Sequence, residues 1–294
     1  MQAEAIDNKR EIALCLSQLS ESSMQQWRMQ NDNTMLDESI KYAEKCYIIS
    51  EDLEDYDVIL NSSRQYSYAL IAQRDDEKAL IYMERCIDAC KKIENWFELI
   101  AAYMIAGMVY KLRGDYNKSI EYSNLAIDIS QKSDRYLNEY IYALYNLIIL
   151  SYIENEQWKQ AIKSIDDFFK KYSNYKGIYF SDQNEIELQC YHSFALALSG
   201  EKYDKDEFSK IILKAEEISN SMKDGTLRPS NKFFLNANFN YNYYRTTNNS
   251  DYLHTACQIV KQGSELASNE ELKKAYLNYP THKVILDQSN HIDD

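Results

Sequence analysis

Residues 102–130 read AYMIAGMVYKLRGDYNKSIEYSNLAIDIS. Gly107 and Tyr110 stand three apart, about one helical turn, inside an apolar run. Gly114-Asp115 interrupts that run: glycine suits a helix stop, and aspartate can cap the helix that follows. Ser119, Ser123 and Ala126 then supply small side chains at steps of four and three. The stretch fits two helices broken only briefly, and a long helical chain is the natural reading of the whole. Its 294 residues hold 6 Gly and 2 Pro, beside 26 Tyr. So few breakers argue against sandwiches, barrels and glycine-dependent phosphate loops. An apolar share of 45% allows a continuous core, and 27% charged residues is ordinary for a globular chain.

The same spacing recurs. With Ile100 as position 1, Gly107 is position 8. A frame from Leu60 puts Ser67 at 8, Leu70 at 11, Ala79 at 20 and Cys86 at 27. From Tyr142, Tyr152 is 11, Trp158 is 17 and Ala161 is 20, with Phe168 at 27. From Ser20, Leu36 is 17, Ser39 is 20, Ala43 is 24 and Cys46 is 27. The starts 20, 60, 100 and 142 are 40, 40 and 42 apart, and looser frames begin near 189 and 237. This pattern resembles the tetratricopeptide (TPR) repeat, in which small residues at 8, 20 and 27 let antiparallel helices approach. The period exceeds the family's usual length, and its proline at position 32 is absent.

The resemblance implies an all-α, right-handed superhelix of about six TPR-like antiparallel helix pairs. The expected helices are 7–30 with 34–51, 55–73 with 75–93, 96–113 with 116–132, 136–155 with 158–173, 182–199 with 204–222, and 230–247 with 250–267. Residues 1–19 begin the first helix, 20–267 form the array, and 268–294 form a cap helix near 270–278 and a flexible tail. Ser181-Asp182 and Gly200 bracket the ninth helix, while Gly225 and Pro229 mark a break. Asn238–Tyr243, NFNYNY, alternates with the period of a strand. The surrounding array outweighs it, and helix is expected.

The net charge of −13 disfavours nucleic acid and anionic membrane surfaces as partners. No apolar leader opens the chain, and 140–153 is too short to span a bilayer, so a cytoplasmic protein is expected. Cys15, Cys46, Cys86, Cys90, Cys190 and Cys257 are scattered and fit free buried thiols, without a metal-binding spacing. No GxGxxG, GxxxxGK[ST], HExxH or GxSxG occurs. His192 and His254 read as structural, His282 and His291 as part of the tail. Neither an enzyme nor a cofactor is implied.

In TPR arrays, positions 2, 5, 9 and 12 of each first helix face the concave groove. Carried over here, they give Arg28, Asn61, Arg64, Tyr68, Met104, Met108, Lys111, Asn146, Tyr241 and Arg245 as groove residues, with Asn31, Asn238, Asn248 and Met24 beside them. Glu21 is the acid among them, against the bases Arg28, Arg64, Lys111 and Arg245. That asymmetry on an acidic chain suggests an acidic or carboxylate-bearing ligand. Asparagine amides can pair with both groups of a peptide unit. The expected function is a non-enzymatic peptide- or protein-binding module in bacterial signalling or regulation, with homodimerisation open. A weaker resemblance, of architecture, is to the repeat domains of bacterial peptide-pheromone receptors of the Rap and PlcR type. The alternative is a scaffold or sensory domain of a larger signalling or transcription-regulatory protein.

Overall fold

The computed structural model describes residues 2–30, 33–132, 134–178, 180–221 and 236–292. Asn31, Gly225 and Pro229 lie outside the described residues. The helices, in chain order, are α1 (Gln2–Gln30), α2 (Asn33–Leu53), α3 (Tyr56–Ala72), α4 (Asp76–Lys92), α5 (Trp96–Leu112), α6 (Tyr116–Gln131), α7 (Asp134–Glu154), α8 (Trp158–Tyr172), α9 (Asp182–Ser199), α10 (Lys205–Ser221), α11 (Ala237–Thr247), α12 (Ser250–Ser264), α13 (Glu270–Leu277) and α14 (Pro280–Ile292). No strand occurs among the described residues; Lys176 and Phe180 make an isolated bridge. The fold is all-α. Two compact units divide it: Met1–Val109 with Ser264–Tyr276, and Tyr110–Gly263 with Leu277–Asp294.

Four links share one construction. Glu54, Arg74, Glu94 and Gly114 take left-handed backbone, with φ of 52°, 68°, 55° and 84°. Each is followed by a capping side chain, from Asp55, Asp75, Asn95 or Asp115. Asp55 accepts from the N–H groups of Asp57 and Val58, Asp75 from Lys78, Asn95 from Glu98 and Asp115 from Lys118. The outgoing carbonyls are closed as well: the N–H of Asp75 donates to Leu70 O, that of Asn95 to Cys90 O, and that of Asp115 to Tyr110 O. The motif therefore repeats every twenty residues. Three-residue links join 17-residue helices α3, α4 and α5, and this fills the forty-residue period.

Small residues sit where helices cross. Ser67, Ala79, Cys86, Ser119, Ala126, Ala161 and Ala256 are all fully buried. Several crossings carry a hydroxyl bond besides close contact. Ser20 pairs with Ser39 between α1 and α2, and Ser50 with Ser62 between α2 and α3. Ser67 donates to Ala79 O between α3 and α4, and Ser151 donates to Ser119 between α7 and α6. Aromatic residues fill the wider gaps: Tyr47, Tyr66 and Tyr82 in the first unit, and Tyr145, Phe168, Tyr172 and Phe180 in the second. Five cysteines are buried, whereas Cys15, expected to be buried too, is exposed on α1.

Residues 238–243 lie inside α11 despite their alternation. Asn236 caps the helix, and the Asn240 and Asn242 amides donate to the carbonyls four residues before them. Buried asparagines are thereby satisfied without leaving the helix. The segment expected as a flexible tail forms α14 instead. Ile285 is fully buried against the α11–α12 core of Tyr241, Leu253, Ala256 and Val260, and His282 is buried beside Tyr279. Apolar residues buried against α11 and α12 hold α14 in place, a contribution that its polar sequence hides.

Candidate functional site

On α3, residues 58–70 are buried except for Asn61, Arg64 and Tyr68. These three are spaced to form one stripe along the helix. On α5, residues 99–109 are buried except for Met104 and Met108, again one turn apart. Both helices are enclosed on all sides but one, so these side chains mark the face left open. Arg64 donates to Asn61 Oδ1 at 3.2 Å and pairs with Glu98 of α5 at 3.1 Å. Asn61 in turn donates to Asp57 O. Arg28 is exposed on α1 and makes no ion pair with a described residue.

In the second unit the expected groove residues have other duties. Lys111 does not face outward: it is buried and pairs with Glu154, at 2.5 Å. Glu154 also accepts from Asn238 Nδ2 at 2.7 Å and from Thr281 Oγ1 at 2.9 Å, so α5, α7, α11 and α14 meet at one carboxylate. Tyr241 is buried too, in the core under α14. Arg245 pairs with Glu156 at 2.8 Å and stacks over Trp158 and Tyr241. Three of the four expected groove cations are thus neutralised by an acid from within the fold. The charge asymmetry that suggested an acidic ligand is cancelled at those positions.

Asn146 belongs to a different cluster. Tyr142 of α7 donates to Glu187 Oε2 of α9, and Tyr191 donates to Glu187 Oε1 at 3.2 Å. Asn146 Nδ2 donates to the Tyr142 hydroxyl at 3.3 Å. The tyrosine proton is spent on the carboxylate, so only the NH₂ of Asn146 can face that hydroxyl. Asn146 Oδ1 is left buried and without a partner. An enclosed acceptor of this kind costs about 1–3 kcal/mol. Burial pushes the Glu187 carboxyl above the usual carboxylate range, against the three donors that favour its charged form. Burial and the Glu187 charge also raise the Tyr142 and Tyr191 phenols well above their ordinary values.

Sequence reading missed Glu98, Glu154, Glu187 and Thr281. A signal for the acids exists: Arg64 precedes its acid by 34 residues, Lys111 by 43, and Tyr142 precedes Glu187 by 45. Each separation is close to one repeat, so the partner stands on the next first helix. Among the described residues no group of three metal-ligating side chains is placed to hold a metal, and no helix is long and apolar enough to cross a membrane.

No protein-family model and no curated protein matches the sequence. Among solved structures, a kinesin-light-chain-like protein of nearly identical TPR-like repeats from Podosopora anserina aligns with a TM-score of 0.53 at 14% identity, over 71% of this chain and 99% of that one. A signal-transduction ATPase with numerous domains (STAND) and a TPR sensor, from Pyrococcus horikoshii, aligns with a TM-score of 0.55 at 14% identity. The match covers 96% of this chain and 38% of the STAND protein. The chain has a TPR-like repeat fold. Neither neighbour is a peptide-pheromone receptor.

Proposed function

We propose that this chain is a non-enzymatic TPR-type module that holds an extended peptide or protein segment along the open face of its first helices. The observation that carries the reading is the stripe on α3 and α5. Helices buried on every other side leave Asn61, Arg64, Tyr68, Met104 and Met108 open. Together they offer amide hydrogen bonding, a charge, an aromatic edge and adaptable thioethers, the kinds of contact a peptide segment uses. A preference for acidic segments then rests on Arg28 and on what remains of Arg64 beyond its bond to Glu98. Peptide recovered with the purified protein and identified by mass spectrometry tests the reading. Met108→Asp changes an exposed residue and should weaken the recovered peptide at least tenfold, with an unchanged melt. Equal binding by the variant would remove α5 from the interface.

A second reading is supported by the STAND neighbour, whose TPR segment is a sensor within a longer chain. In that case the same face serves as the sensory part of a larger signalling or regulatory protein, in the cytoplasm. The length of the parent open reading frame separates the two.

A further inference from the structure

We infer that Glu187, with Asn146 beside it, anchors a cationic group of a peptide segment, an ammonium or a guanidinium. This rests on the peptide-binding reading above and applies it to the second unit by itself. The acids at the other clusters have cations of their own: Glu98 has Arg64, Glu154 has Lys111 and Glu156 has Arg245. Glu187 has the hydroxyls of Tyr142 and Tyr191 and the Asn146 amide as partners, and no ion pair with any described residue. The nearby Lys176 is committed to Asp182 and Glu185 at the start of α9.

Each Glu187 oxygen accepts one phenol proton, and a carboxylate oxygen has room for a second donor. Asn146 Oδ1 is an acceptor with none. The phenol protons are spent on Glu187, so the open hydrogen-bonding capacity of the cluster is for donors. A carboxylate or a carbonyl arriving here would meet lone pairs. A positive group with several N–H donors would meet a charge and an orphan oxygen together. Tyr142, Asn146 and Glu187 each keep some exposure as residues, while Asn146 Oδ1 itself is enclosed.

The probes are N-acetyl-arginine amide, N-acetyl-lysine amide and the uncharged N-acetyl-citrulline amide, titrated separately into the full chain and followed by NMR. Wild type should bind one or both charged probes at least tenfold more tightly than citrulline. Glu187→Gln should abolish that preference. Asn146→Leu, which removes the orphan oxygen and leaves the acid, should weaken the charged probe about threefold. Equal binding of charged and citrulline probes, no binding of the charged ones, or a preference retained in Glu187→Gln each overturns the inference. If Glu187→Gln does not fold, the wild-type comparison with citrulline and Asn146→Leu still decide it. A selection from a random peptide library is scored separately. Peptides enriched without a basic group overturn this inference and leave the peptide-binding reading standing. A library that yields nothing overturns that reading, and the single-residue probes then decide the Glu187 site alone.

Discussion

Gly114 is glycine because Pro280 lies against it: a β-carbon there would stand 2.5 Å from Pro280 Cγ. The equivalent links carry arginine or glutamate in the same left-handed backbone. The glycine therefore admits α14 as well as making the turn. Gly114→Ala should destabilise the protein by about 1–3 kcal/mol through overpacking, with about 1 kcal/mol more from the left-handed φ. Pro280→Ala should relieve the first part and leave the second. Urea melts of the four members of this cycle test it, and a loss identical in both backgrounds would refute the contact.

Lys111 and Glu154 are both nearly enclosed, with side chains 7% and 5% exposed. Removing one partner, as in Lys111→Ala, leaves a buried charge and should cost about 3–5 kcal/mol. Lys111→Glu should unfold the second unit instead of merely changing a ligand affinity. Far-ultraviolet circular dichroism at 25 °C distinguishes the outcomes: a native Lys111→Glu spectrum would place the side chain at the surface.

The Glu187 carboxyl has its pKa raised in the fold, chiefly by burial. An acid of this kind adds most stability below its unfolded pKa and loses that contribution as pH rises through its folded value. Glu187→Gln removes the titration, keeps one acceptor oxygen and turns an NH₂ toward the other tyrosine, a cost that is the same at both pH values. The variant should therefore gain stability relative to wild type between pH 4 and pH 7. Melts at the two values check the sign, and a relative loss would mean the carboxylate is favoured by a cation.

Ala79 and Ala126 are fully buried at helix crossings. Enlarging either to leucine should cost about 1–3 kcal/mol by overpacking. Unchanged melting temperatures for both would show that these helices do not pack through those residues.

Thiol reactivity should single out Cys15, the exposed cysteine. Burial raises the Cys46 thiol to about 11 and Cys190 well above the usual thiol range, and the hydrogen bond with Cys90, together with burial, does the same for Cys86. A thiol reagent at pH 8 should label one site per native chain, and the rest only after unfolding. Fast labelling of Cys86 or Cys190 would contradict their burial.

Much of the fold is legible along the chain because it is made by local chemistry. Asp55, Asp75, Asn95 and Asp115 recur every twenty residues, each capping the helix that starts beside it. Small residues such as Ala79 and Ala126 mark the crossings by their size alone. Those features depend on residues within a turn or two of one another. The state of the candidate site does not. Whether Lys111 faces a ligand or an acid is decided by Glu154, 43 residues away on another helix. Glu187 has no lysine or arginine partner among the described residues, although the chain has many. The docking of α14 was equally hidden, since its polar segment is held by Ile285 entering a core built from α11 and α12. Charge at a groove position can be read from sequence, but its neutralisation depends on which helices the packing brings together.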